Sequence, residues 1–426
     1  MTGRRPNDPL RSLLAEAGWT GGALAAAVNT IGAEAGLRLG YDRTSVAHWL
    51  SGSRPRSPVP DLVAEAFSRR LGREIPVALT GLAGRTESVS PSLMVEPKRI
   101  YRLAELDVPS LTELALPAQR DGVGRVGRAE AAAAASMIEV FSDTDVTFGG
   151  GTGRTALAGY LAHTIAPWLR ADAVPAVRHE LLHAASLLTY LNGFMCFDDE
   201  LHGAAQGYYL ASARLAAQAA DATGYAVALR ALSVQALMLG HHRHAVHLAE
   251  AAVAAAAPTA SPRTRAFLHG QLAVACAASG DRQAAVTQLG IAENRLAAAH
   301  SADVAIGGYH EASLAHQHAA VAASLGDRQA AIRALKSSIF HRPATERRSR
   351  AITLARLAEL QLSIGQLDQA CDTWHRFLDD YPQLRSRRAD TALATLRAQI
   401  RPHQKNPSAR VLGQRAALVL SARRTP

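Results

Sequence analysis

Apolar residues fall at helical rather than strand-like intervals along almost the whole chain. Leu24, Ala25 and Val28 share one helix face, and Val46, Trp49 and Leu50 share the buried side of a second, shorter helix. Alanine runs such as AEAAAAASM (129–137) and AEAAVAAAA (249–257) extend the pattern. Alanine loses no side-chain entropy in a helix, while the β-branched and aromatic runs that favour strands are scarce. The prediction is an all-α protein. Between residues 84 and 124 the periodicity breaks at Pro91, Pro97, Pro109, Pro117 and the glycines of RDGVGRVGR. Four segments result: a helical head over 1–82, a linker over 83–124, a helical body over 125–401 and a basic tail over 402–426, expected to be disordered.

Within the body a short pattern recurs: LGHHRHAV (239–246), SGDRQAAV (279–286), LGDRQAAI (325–332) and IGQLDQAC (364–371). Aligned on Gly240, Gly280, Gly326 and Gly365, the copies are 40, 46 and 39 residues apart. Each glycine precedes an alanine by five residues and follows a small residue by seven: Ser233, Ala273, Ala319 and Ala358. These features resemble tetratricopeptide repeats. A first helix ends at the glycine, which tolerates the left-handed conformation of a helix stop, and the second helix needs alanine where it crosses the first. Such a pair cannot bury its own apolar face, so stacked pairs build a superhelix with a concave groove. In that register Arg230, His316 and Glu359 lie on first helices facing the groove, where a peptide, small signal or protein partner would bind.

The segment GWTGGALAAAVNTIGAEAGLRLGYDRTSVAHWLSGSRPRS (18–57) has the order of a helix-turn-helix. Asp42 and Thr44 both suit the N-cap of the second helix, and Gly52 ends it. With Val46 and Trp49 inward, Arg43, Thr44, Ala47 and His48 face outward near the N-terminal end, where a recognition helix reads base edges in the major groove. Arg54 and Arg56, in SGSRPRS, are placed to touch phosphates. Ser45, Val46, Trp49, Gly52 and Pro55 carry the resemblance to Cro/repressor-like (XRE-type) helix-turn-helix domains. NTIGAEAGLRLG (29–40) departs from it, being longer than the usual tight turn.

VTFGGGTGRTALAGYL (146–161) invites comparison with a phosphate-binding loop. Gly149 and Gly153 are one residue too close, Arg154 stands where lysine belongs, and an alanine-rich helix precedes where a strand is required. The expectation is an interhelical turn whose glycines permit close packing. Together with YLNGFMCFDDELHGAAQGYY (190–209) and LRALSVQALMLGH (229–241), the run resembles one actinobacterial regulator family. Its members join an XRE-like helix-turn-helix to a tetratricopeptide-type domain and include repressors of sporulation and antibiotic production. The resemblance spans roughly residues 10–400. It implies transcriptional control of differentiation or secondary metabolism and brings no catalytic residue.

The chemistry of the remaining residues adds little to that picture. HHRHAVH (241–247) contains His241, His242, His244 and His247, but no nearby Asp, Glu or Cys completes a metal site, and a solvated turn is expected. Asp198, Asp199 and Glu200 form a short acidic cluster suited to helix capping. No nucleophile–base or paired-carboxylate arrangement stands out, so neither enzyme activity nor a cofactor is expected. Cys196, Cys276 and Cys371 read as packed thiols. The net charge of +10 rests on arginine, since the only lysines are Lys98, Lys336 and Lys405, and it suits a partner rich in phosphate. The arginines between Pro382 and Pro426 suggest further sequence-blind phosphate contact.

MTGRRPNDPLRSLL lacks the apolar core of a signal peptide, and no run is long enough to cross a membrane. A cytoplasmic, nucleoid-associated homodimer on a double-stranded operator is therefore expected. The alternative, from another class, is a helical-repeat adaptor that does not bind DNA. Glu16, Glu34 and Asp61 interrupting the positive surface around Arg43, Arg54 and Arg56 would favour it.

Overall fold

The computed structural model describes residues 5–83, 99–108, 110, 113, 124–256, 260–300 and 308–424. The protein is all-α, a helix-turn-helix head followed by a tetratricopeptide-like superhelix. The strand-like feature among the described residues is an isolated bridge between Arg125 and Asp172.

Four helices make the head: α1 (Asp8–Ala17), α2 (Gly21–Glu34), α3 (Arg43–Leu50) and α4 (Val59–Leu71). Leu10, Leu24, Val28, Val46, Leu62, Val63 and Phe67 fill its core. The body opens with α5 (Arg128–Phe148) and α6 (Gly150–Tyr160), the latter continuing through a π turn (Leu161–Ile165) into a short α7 (Ala166–Arg170). Antiparallel pairs follow: α8 (Pro175–Asp198) with α9 (His202–Gln218), α10 (Ala222–Met238) with α11 (His242–Ala256), and α12 (Pro262–Ala278) with α13 (Arg282–Ala297). Next come α14 (Glu311–Ser324) with α15 (Arg328–Phe340), α16 (Arg347–Ser363) with α17 (Leu367–Asp380), and the closing helices α18 (Arg387–Ile400) and α19 (Pro407–Arg424).

The repeat glycines do what their pattern requires. Gly240, Gly280, Gly326 and Gly365 have φ of 86°, 87°, 87° and 80°. Beyond each, a backbone N–H reaches back to a carbonyl five residues earlier, His241 to Ala236 (2.8 Å), Asp281 to Cys276 (3.0 Å), Asp327 to Ala322 (2.9 Å) and Gln366 to Gln361 (2.9 Å). That is the Schellman helix stop. Ala245, Ala285, Ala331 and Ala370 are buried, as are Ser233, Ala273, Ala319 and Ala358. At the first crossing Ser233 Oγ donates to Ala245 O at 2.7 Å, so the small side chains mark where the two helices touch.

A fifth copy lacks the glycine. Glu200 has φ of 56°, and Leu201 N–H closes the same bond to Cys196 O at 2.9 Å. Five residues on, Ala205 is fully buried, and seven residues back stands Gly193, where a Cβ would lie 2.8 Å from the Tyr209 ring. The α8/α9 pair is therefore a repeat in the same register.

The last helices return to the first. Arg385 N–H donates to Phe148 O (2.6 Å), and Gly151 N–H donates to Arg385 O (2.9 Å). Arg348 on α16 reaches Asp145 on α5 at 2.9 Å, a pairing 203 residues apart in sequence. Thr391 on α18 donates to Glu200 at 3.0 Å, and the Arg388 guanidinium sits 5.2 Å over the Phe197 ring. The superhelix closes on itself.

Two of the expected segments need correction. The tail is helix α19, not a disordered extension: Ala409, Leu412 and Ala416 are buried in one cluster with Trp374, Phe377 and Leu396. Nor is all of 83–124 a free connector. Residues 84–98 and most of 109–123 lie outside the described residues, but Tyr101, Leu103 and Leu106 are buried in the body core, and Ile100 in the head core. Arg102 N–H donates to Gln206 Oε1 (2.9 Å) while Gln206 Nε2 donates to Arg102 O (2.7 Å), so one amide pins the segment.

Candidate functional site

The exposed face of the head is fixed by what holds α3 beneath. The long connection after α2 is anchored by Asn29, whose amide donates to Tyr41 O (2.8 Å) and accepts from Tyr41 N–H (2.9 Å). Asp42, not Thr44, is the N-cap. Its carboxylate accepts from Ser45 N–H at 2.9 Å in a capping box, and that backbone bond lowers the carboxyl's pKa. The Tyr41 ring meets Trp49 edge-on at 5.2 Å, and Val46 and Trp49 are buried. The rotation of the helix is thereby set. Arg43, Thr44, Ala47 and His48 are exposed, and Leu50 is half-buried.

Past the helix, Gly52 adopts φ of 96° and the loop exposes Arg54 and Arg56. None of Arg43, Arg54 and Arg56 has an ion-pair partner among the described residues. At 1.5 Å per residue, the eight residues of α3 span about 12 Å, comparable with the width of a major groove.

The three acids that would interrupt this surface are each held by an arginine. Glu16 pairs with Arg73 (2.8 Å), Asp61 with Arg102 (3.0 Å), and Glu34 grips Arg69 through both oxygens at 2.8 Å.

Arg69 and its neighbours dock the head on the body. Arg69 also binds Glu65 (2.8 Å), whose carboxylate lies 3.3 Å from His241 Nε2, and the Tyr101 ring stacks on His241 at 5.7 Å. The histidine run is therefore not simply a solvated turn: His241 is 1% exposed and belongs to the junction. His242 remains exposed, with Nδ1 2.8 Å from Ala278 O. Among the described residues no group of three or more His, Cys, Asp and Glu is arranged to hold a metal ion. This junction was hidden in the sequence, since nothing local links residue 65 to 241.

The glycine run is occupied from within the protein. Gly150 N–H donates to the buried Asp198 carboxylate (3.0 Å), Gly151 N–H to Arg385 O, and Arg154 pairs with Asp199 (2.8 Å). The acidic cluster thus caps a helix, and the helix is α6. Asp145 and Asp198 flank Arg348 at 2.9 and 3.9 Å; burial pushes the Asp145 carboxyl up to about 6 while Arg348 opposes the shift.

Of the groove residues, Arg230 on α10 places its guanidinium 3.4 Å over the Phe267 ring and donates from Nε to Phe267 O at 3.2 Å. His316 on α14 lies 3.3 Å from Thr353 Oγ1, and its ring is held down to about 4 by burial and then by the surrounding arginines 342, 388 and 356. Glu359 is one-quarter exposed and pairs with Arg356 at 3.4 Å. Arg348 and Arg388 escaped the sequence reading because their places depend on closure of the superhelix.

Compared with known proteins, residues 10–83 match the family described as the SP15 N-terminal domain. No curated protein matches the chain. No helix among the described residues is long and apolar enough to cross a membrane.

Proposed function

We propose that the protein is a DNA-binding transcriptional regulator, a repressor of differentiation or secondary metabolism. In this reading the head reads an operator, and the body provides dimerisation and effector or partner binding. The observation that carries it is the outer face of α3. Arg43, Thr44, Ala47 and His48 are exposed on a helix whose inner side is locked by Val46 and Trp49, with Arg54 and Arg56 beside it and Glu16, Glu34 and Asp61 paired elsewhere. Arginine and histidine supply hydrogen-bond donors to base edges, and the short Thr44 and Ala47 suit thymine methyls. The loop arginines supply phosphate contacts that set the register. A single head reads few base pairs, so the working unit is a homodimer on a two-fold site.

Selection of binding sites from a random duplex library, followed by affinity measurement across salt, tests the reading. Arg43→Ala and His48→Ala should each lose sequence preference by about 1–3 kcal/mol. Arg54→Ala and Arg56→Ala should weaken all sequences alike and lower the salt slope by about one each. A wild-type protein that binds selected and scrambled duplexes equally would remove the proposal and leave the adaptor.

A further inference from the structure

Three successive helices of the body, α15, α16 and α17, form an open groove of about 330 Å³. Ile339, Phe340 and Leu357 give it an apolar lining, and Lys336 and Arg376 bring one cation from α15 and one from α17. Gln361 and Thr373 complete it; both are buried and bonded to each other at 2.7 Å. Phe340 is 84% exposed, although it lines a groove. Lys336 and Arg376 are exposed, and neither has an ion pair or side-chain hydrogen bond among the described residues. The acids one turn beyond Arg376 are held elsewhere, Asp379 by Arg415 and Asp380 by Arg350. Asp372, one turn before it, is exposed, makes no ion pair among the described residues and does not line the groove.

A surface of opposite charge lies on α5 of the same chain. Glu139 and Asp143, four residues apart on one helix face, are exposed and have no ion pair or side-chain hydrogen bond among the described residues. Like charges at that spacing repel each other. Val140 stands beside them and is 54% exposed. In a chain of net charge +10 this is an unusual setting. By contrast, the exposed Val411 and Leu418 lie on the arginine-rich α19, and the exposed Val286 lies one turn from Arg282. Both the groove and the α5 face are open to solvent in one molecule, so neither covers the other. A second copy brings them together.

We propose that the groove is a self-association site, covered by α5 of a second copy of the chain. The Val140 side chain of one copy packs on Phe340 of the other, and Glu139 and Asp143 meet Lys336 and Arg376. Two-fold symmetry repeats the contact, since each copy offers both surfaces. The proposal rests on the reading of the body as the dimerising part and names the surfaces that part uses.

Sedimentation equilibrium of the full chain without DNA tests it. Lys336→Glu with Arg376→Glu should raise the dimer Kd about tenfold or more, because like charges then face each other across the contact. Glu139→Lys with Asp143→Lys should do the same, and the variant carrying all four changes should regain the wild-type Kd. Loss of the exposed ring in Phe340→Ala should also weaken the dimer, by about tenfold. If a reversed variant does not fold by circular dichroism, Lys336→Gln with Arg376→Gln serves instead. The Kd of the wild type should then climb with sodium chloride more steeply than that of the glutamine variant. A wild-type dimer unaffected by folded reversals, a four-fold variant that stays weak, or equal salt slopes overturns the inference and leaves the dimer reading in place. A wild type that stays monomeric removes both, while sequence preference in the operator assay is read separately.

Discussion

A methyl group at position 150 has nowhere to go. The Cβ of any other residue there would stand 2.5 Å from Met195 O, in the backbone of α8, whereas at Gly159, nine residues along, a Cβ meets nothing within 4 Å. Gly150→Val should therefore cost about 3 kcal/mol or more through overpacking. Gly159→Ala should gain up to ~1 kcal/mol from helix propensity. Urea midpoints of the two variants check the contrast, and equal effects would discard it. The sequence shows a run of glycines before a helix but not what their N–H groups face, because the acceptors, Asp198 at the end of α8 and Arg385 in the turn before α18, are distant in sequence. Glu200 is the opposite case. Its left-handed backbone conceals a repeat from any search for glycine, and the side chain that displaced glycine there reaches Thr391 on α18.

At the scale of elements, α19 is the clearest departure from the sequence reading. Net charge suggests a loose basic extension, yet two of its arginines bind inward: Arg415 reaches Asp379 (2.6 Å) and His375 O (2.9 Å), and Arg423 pairs with Asp390 (2.6 Å) while lying 4.5 Å over the Tyr381 ring. The helical signal was thin, since Ala409, Leu412 and Ala416 form a stripe of mostly small residues. Ending the chain after Arg401 should uncover the apolar wall around Trp374 and Phe377 and lower Tm by about 5 °C or more. Unchanged melting would mean that α19 is not part of the fold. Four of the repeat pairs were legible because a helix stop is a local event. The docking of residues 99–106 was not, because proline and glycine spacing describes a break in periodicity and says nothing of what a broken segment packs against.

The whole molecule is joined where the head meets the body, and that junction contains a histidine kept neutral. His202 is 4% exposed, its Nδ1 has no partner, and burial pushes its pKa down to about 4, with Glu34 opposing and Arg69 and Arg388 adding to the shift. In the unfolded chain the same group titrates near 6.5. Between these values the unfolded state binds the extra proton, so stability present above pH 6.5 is lost as pH falls toward 4, by roughly 3 kcal/mol from this group. His202→Gln should flatten that part of the urea-midpoint profile between pH 7 and 4.5. An unaltered slope would exclude His202 as its source.

The seam joining Arg385 to the Phe148–Gly151 turn constrains how such a protein can change over evolutionary time. A linear array of stacked pairs lengthens or shortens by duplicating or deleting a unit, because each pair answers only to its neighbours. A circuit has a fixed circumference. One more pair between α8 and α18 would carry Arg385 away from Gly151 and Arg348 away from Asp145. Drift in this body is thus confined to substitutions and to loop length, and its number of repeats is as much a structural invariant as the left-handed turn inside each one.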